Sequence, residues 1–358
     1  MASTGTQFMI FLGKNVLSRN SHTVLRYPRY NLTTKYREYN ISTSESHTEA
    51  DPAPLFFNEK VQILLKELTG INHEKVYRNR KLGDRLTTPN VKFMTNDELA
   101  EARAYAESRG ARSLQMPPVV KQRKEINKIL CKDVALQGHD TAKYVFTDIT
   151  FGIKNSDRLI VIRETDGTLR YAKWDERSRV NQVYFPIKGK EFRMPKMFQQ
   201  EHLEPVLLRK DYEFILDRAC MQLDPDDPEY HKITTIVYDR ISNEKDYDLL
   251  RSTRHYGPLI FYLVWNKKIS ELLLENITTE RIQDAVKLIQ LYHVIHPNEE
   301  TAKLKYAGND LKYLEEYTKL VSSNQGKLVA AINTFKEVQN QRQKILQEVR
   351  KNQVENKV

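Results

Sequence analysis

The chain is poor in two residue types that often announce local chemistry: 12 of its 358 residues are glycine and two are cysteine. Scarce glycine argues against loops that cradle phosphate, and neither a Walker nor a Rossmann glycine pattern occurs. It argues equally against an all-β architecture built on many tight turns. Cys131 and Cys220 lie far apart without a cysteine neighbour, so they match no zinc spacing and no secreted disulfide framework. They are expected as free thiols in a reducing compartment. Long apolar runs are missing too. The longest, Leu259 to Trp265, falls far short of the ~18 residues a membrane span needs, so no span is expected.

Catalytic patterns are also lacking. There is no Gly-x-Ser-x-Gly elbow, and neither cysteine has a histidine nearby in sequence. Asp224, Asp226, Asp227 and Glu229 are interrupted by Pro225 and Pro228 and have no loop glycine, so they read as a solvated turn and helix start, not a calcium loop. His293 and His296 are spaced for a metal, but no third ligand follows and Pro297 ends the helix. They read as capping or core histidines. The expectation is a non-enzyme: no catalytic residue, no metal site, no cofactor and no small-molecule substrate.

What the chain does have is positive charge, +10 formally, unevenly placed. The first 37 residues carry Lys14, Arg19, Arg26, Arg29, Lys35 and Arg37 with no acid, among hydroxyl residues. That is the composition of a mitochondrial transit peptide, with a disordered basic tail as the other reading. Arg37-Glu38-Tyr39 suits matrix processing, giving a leader over 1–39 and a mature start near Asn40. Residues 40–55 read as a flexible lead-in. From Lys154 to Lys196, eleven Lys and Arg face six Asp and Glu, which accounts for the whole surplus left once the leader is set aside. A protein coated in cations is excluded, so any nucleic-acid contact is local.

In that block Tyr171, Trp174 and Tyr184 interleave with Lys173, Arg177 and Arg179, a mixture suited to phosphate contact and base stacking. A solvated basic surface is the alternative. The candidate contacts to RNA or an acidic partner are Arg158, Arg163, Arg170, Lys173, Arg177, Arg179, Lys188 and Lys190. Leu159–Ile162 and Thr168–Trp174 read as two strands joined by Asp166-Gly167, a two-residue loop. A type I′ turn there sets Ile162 against Tyr171, Leu159 against Trp174, and Arg163 against Arg170. Like charges directly across a ladder call for an anion or for solvent.

The rest is patterned for helices. Phe56–Leu68 has an apolar face and Gly70 as a C-cap. Thr95 opens a capping box with Glu98, and its helix is expected to stop at Gly110. Glu125–Cys131 reads as a short helix, and Glu201–Leu208 as one interrupted by Pro205. Tyr212–Leu223, a helix beginning at Pro228, Ile269–Leu274 and Ile282–Val294 follow. Gly257-Pro258 should break or kink any helix within Tyr247–Leu263. Gln325–Val358 is a long polar helix that docks on a neighbour or frays, its seam spoiled by Gln339 and Arg342.

Two long strings are more specific than any motif. TAKYVFTDITFGI with RLIVIRETDGTLRYAKWDERSRVNQVYFP, and YDLLRSTRHYGPLIFYLVWNKKISELLLENITTERIQDAVKLIQLYHVIHP (Tyr247 to Pro297), resemble the mitochondrial small-subunit ribosomal protein family numbered twenty-two. The similarity runs from about Phe56 to Pro297. It implies a structural component of the small ribosomal subunit in the mitochondrial matrix, joining neighbouring ribosomal proteins and touching the small-subunit rRNA locally. A free mitochondrial RNA-binding or RNA-processing factor is the alternative. The expected fold is α+β and predominantly α-helical. Its parts are a helical and extended region over 56–140, a basic antiparallel β-hairpin unit over 141–197, a helical-hairpin domain over 198–297, and a C-terminal helical extension over 298–358.

Overall fold

Local signals start and stop the helices where side chains can satisfy the end groups. Helices α1 (Ala53–Phe56) and α2 (Glu59–Thr69) are separated by Asn58, whose side chain accepts from the Lys60 amide. Val61, Leu65 and Leu68 then share one buried face, and Gly70 at φ +61° ends the helix. Residues 51–77, 91–139, 141–321 and 324–355 are described in this computed structural model, together with 8–12; for 8–12 and 350–355 the backbone alone is described. The expected leader, apart from 8–12, and the lead-in up to residue 50 lie outside the described residues.

Among the described residues, those from 51 to 122 and from 195 onward form one compact unit, and those of 123–194, with 8–12, form the other. In sequence the second unit is therefore an insertion into the first.

The larger unit is helical. After α3 (His73–Tyr77) comes α4 (Asn96–Ser113), capped by Thr95 with both bonds of the capping box in place. It does not stop at Gly110. That glycine sits inside the helix because a Cβ there would approach the Tyr77 hydroxyl to 2.9 Å, while the same hydroxyl donates to the Ala106 carbonyl. Helix α6 (Gln200–Leu208) likewise runs through Pro205 without a break. Pro205 and Glu201 both face water, so the Glu201 carbonyl left without its helical donor is solvated. Then follow α7 (Tyr212–Gln222), α8 (Pro228–Glu244), α9 (Tyr247–Leu250), α10 (Tyr256–Trp265), α11 (Ser270–Thr278) and α12 (Ile282–Ile295). Gly257-Pro258 breaks nothing: it lies in the first turn of α10, where a missing amide donor costs little. The apolar run through Val264 is the centre of the core, against which α2 and α12 pack.

Helices α13 (Asp310–Leu320) and α14 (Gln325–Glu355) complete this unit. The long helix docks on its own chain through Leu328, Ile332 and Phe335, against α11 and α13. Arg342 extends the contact by a paired bond to both Glu280 carboxylate oxygens at 2.6 and 2.7 Å. Beyond it Ile345, Leu346 and Val349 are exposed.

The inserted unit is a small antiparallel sheet. Strands β1 (Phe8–Leu12), β2 (Ile129–Lys132), β3 (Tyr144–Asp148), β4 (Ile160–Arg163) and β5 (Thr168–Tyr171) lie in the order β1-β3-β4-β5-β2. β2 replaces the short helix expected over Glu125–Cys131: Ile129, Cys131 and Lys132 pair along β5 instead, with a bulge between Ile129 and Cys131. One further helix, α5 (Trp174–Tyr184), covers one face of this sheet through Val180, over Ile160, Ile162 and Ala172. The unit is thus more than a hairpin, and the predominantly helical α+β class holds for the chain as a whole.

Candidate nucleic-acid interface

The hairpin β4–β5 decides where the candidate cations point. Its loop is one residue longer than a type I′ turn. The Glu164 amide donates to the Thr168 carbonyl at 2.9 Å and the Gly167 amide to the Glu164 carbonyl at 3.1 Å, leaving Thr165, Asp166 and Gly167 in the loop. Gly167 takes φ +80°, and the Asp166 carboxylate accepts from the Thr168 amide at 3.0 Å and its hydroxyl at 2.9 Å. The extra residue shifts the register. Ile162 faces Arg170, Arg163 faces Leu169 and Val161 faces Tyr171, so the two arginines expected to oppose each other lie on opposite faces. Trp174 does not face Leu159 either. It opens α5, and its indole donates to the Lys124 carbonyl at 2.8 Å.

Arg170 therefore stands on the face covered by α5, where two carboxylates hold it. Its Nη1 and Nη2 each donate to a Glu176 oxygen at 2.8 Å, and Nε and Nη2 reach Glu164 at 3.0 and 2.6 Å. This fork pairing raises the Arg170 pKa further, and the guanidinium in turn holds the Glu176 carboxyl below the usual carboxylate range. Burial would push Glu164 up, but bonds from Lys143 and Arg170 outweigh it and hold it down as well.

Two more of the eight are interior. Arg158 is 4% exposed; its Nη1 donates to the Asp148 and Thr150 carbonyls at 3.2 and 2.9 Å, and its guanidinium lies 3.5 Å from the Phe185 ring centre. Arg177, 7% exposed, donates from Nη2 to the Ser156 and Arg158 carbonyls at 2.9 and 2.6 Å. Burial lowers its pKa. Together they pin the loop between β3 and β4 under α5. Lys173, Arg179 and Lys188 are exposed, and Lys190 is half-buried. Arg163 is half-buried on the other face, and its Nε is shut off from water without an acceptor.

The eight cations thus do not converge. Arg158, Arg170 and Arg177 support the fold, Lys173, Arg179 and Lys188 lie in solvent, and Arg163 and Lys190 are half-buried. Trp174 is not a free stacking platform, since Arg123 and Arg177 lie 4.5 and 5.5 Å from its ring. The sequence reading missed Tyr144 and Phe146 of β3, half-buried on one strand face and partnered in register by Arg163 and Val161. Their signal was the Tyr-x-Phe alternation at Tyr144 and Phe146, legible as one face only once β3 is known to be a strand.

Among the described residues no group of three or more His, Cys, Asp or Glu is placed to hold a metal ion, and no helix is long and apolar enough to cross a membrane. The Nδ1 of His293 meets the Tyr313 hydroxyl at 3.2 Å, and Nε2 of His296 the Val264 carbonyl at 2.9 Å.

Comparison with known proteins adds what geometry alone does not. The family profile described as Mitochondrial 28S ribosomal protein S22 matches residues 54–297. The chain is similar to the small ribosomal subunit protein mS22 of Mus musculus, 35% identical over 326 residues, covering 88% of this chain and 90% of that protein. It is also similar to the small ribosomal subunit protein mS22 of Bos taurus, 35% identical over 298 residues, covering 83% and 82%.

Proposed function

Since the chain belongs to the mitochondrial 28S ribosomal protein S22 family, we propose that it is a structural component of the mitochondrial small ribosomal subunit. In this reading it works in the matrix, after a leader over 1–39 is removed, as a non-catalytic scaffold that supports mitochondrial translation. The observation that carries the reading is the family match, which runs through both units and through the inserted sheet. The geometry is compatible with it. The helical unit closes a large apolar core and still leaves apolar side chains in water at Val91, Phe93, Met94 and, on α14, Ile345 and Leu346. Such residues suit contact with neighbouring ribosomal proteins. The sheet unit supplies local contact to the small-subunit rRNA, through exposed Lys173, Arg179 and Lys188 and through Arg163.

The test is sedimentation of mitochondrial lysate through a density gradient. The chain is expected in the fraction of the small subunit, resistant to moderate salt. A chain that stays with free proteins at the top, yet binds isolated RNA with a steep salt dependence, would be a free RNA-binding or RNA-processing factor instead.

A further inference from the structure

Resting on the reading of the chain as a small-subunit component, we propose that the far end of α14, residues 343–355, docks one amphipathic helix of a neighbouring ribosomal protein, a helix that carries carboxylates beside its apolar stripe. One pattern runs the length of α14. Leu328, Ile332 and Phe335 repeat in steps of four and three, and the same steps lead through Gln339 and Arg342 to Leu346 and Val349. The chain itself answers only the first part of that seam. Leu328, Ile332 and Phe335 are buried against α11 and α13, whereas residues 339–349 are all exposed. Leu346 and its neighbour Ile345 are each 58% exposed, and Val349, on the same face, is 45% exposed. At about 1.5 Å per residue the stretch beyond Arg342 adds roughly 20 Å of helix, and a helix end without packing frays.

Charge says what kind of helix fits. Where α14 lies on its own chain, the cations along the seam meet glutamates: Lys336 pairs with Glu315 of α13, and Arg342 forks onto Glu280, which follows α11. Arg350 falls two heptads beyond Lys336 and so at the same rim of the seam. Between residues 341 and 351, Arg342, Lys344, Arg350 and Lys351 stand against Glu348 alone. A partner that continues the pattern therefore brings aliphatic side chains to Ile345, Leu346 and Val349 and a carboxylate to Arg350. A second copy of this end would set cations against cations. RNA would answer the cations and leave the aliphatic stripe in water. A membrane surface calls for a broad apolar face, and this stripe is a narrow seam with one flanking position.

Hydrogen exchange read by mass spectrometry tests this on the free full-length chain and on isolated small subunits that contain it. In the free chain the amides of residues 343–355 should exchange far faster than those around Leu328 and Ile332; in the subunit they should slow by about tenfold or more. Leu346→benzoylphenylalanine, irradiated in the subunit, should give an adduct on a helical segment of another protein with Asp or Glu within a turn of the crosslink. L346D combined with V349D should leave the melting temperature of the free chain within about 2 °C, because both side chains are already exposed. Expressed beside wild type, that double variant should lose about tenfold in its share of the small-subunit fraction. R350E should lose about threefold and R350K nothing. Amides of 343–355 that exchange as fast in the subunit as in the free chain, an adduct on rRNA or on a second copy, or full incorporation of the double variant would overturn the proposal. So would equal slowing of those amides by phosphatidylserine vesicles. A chain that sediments with the small subunit and fails these tests loses this inference and keeps its ribosomal role.

Discussion

Replacing Arg170 by alanine separates a cation kept for RNA from one consumed by the fold. The side chain is 16% exposed and makes four bonds to Glu164 and Glu176, themselves 20% and 32% exposed, plus one to the Tyr171 carbonyl at 3.1 Å. Breaking a fully buried pair costs about 3–5 kcal/mol, and an exposed one about 0–1 kcal/mol. Arg170 lies nearer the buried end, although Glu164 keeps Lys143 and Glu176 keeps the Lys173 amide at 2.8 Å. The expected loss is about 2–3 kcal/mol, or roughly 10–20 °C in melting temperature for a unit of this size. A W265F background leaves Trp174 as the sole indole of the chain, so its fluorescence follows the sheet unit alone. Replacing the whole cluster, R170M with E164Q and E176Q, should recover part of the loss, because no carboxylate is then stranded. The pH dependence has a definite sign. Both carboxyls have folded pKa values below the unfolded 4.5, so their contribution is complete above about pH 4.5 and falls away as pH drops through the folded values. In R170A that acid loss should be shallower. A variant that melts within about 2 °C of its parent, with an unchanged acid limb, would mean that Arg170 is solvated and the register assigned to the hairpin is wrong.

Two further outcomes follow from single positions. G167A should cost the sheet unit about 3 kcal/mol or more in urea denaturation: the site needs positive φ, and an added Cβ would lie 1.9 Å from the Asp133 carbonyl of the adjoining chain segment. A loss below about 1 kcal/mol would contradict that packing. His255 is fully buried and shares a 2.8 Å bond with Asp217; burial holds its pKa below the usual 6.5, with Asp217 acting the other way. A histidine so depressed takes up a proton on unfolding, so its contribution is complete above about pH 6.5 and is lost as pH falls from there through the folded value. The urea midpoint of the helical unit should therefore decline below about pH 6.5. H255Q should flatten that decline without abolishing it, since burial also lowers His231 and His293.

The helical unit was legible in the sequence because its signals are local. Asn58, Thr95 and Asp227 cap the helices they precede, and the faces of α2, α8 and α12 repeat at helical spacing. The misreadings at Gly110, Pro205 and Gly257-Pro258 share one cause. Each residue's local preference was read without knowing what packs on it or whether water reaches the carbonyl it leaves open. Helix α5 was overlooked within a stretch assigned to strands, although Asp175 and Glu176 in its first turn are a recognisable start.

By itself, then, the sequence determined the family, the helical class, the missing catalytic patterns and the location of the positive block. Only the tertiary structure decided what each cation in that block does. Strand register has a period of two, so one extra loop residue moved Arg170 to the covered face, where Glu164 and Glu176 meet it. The same shift left Arg163 on the other face beside Tyr144 and Phe146. Charge is written in the chain, but a counter-charge is met in space.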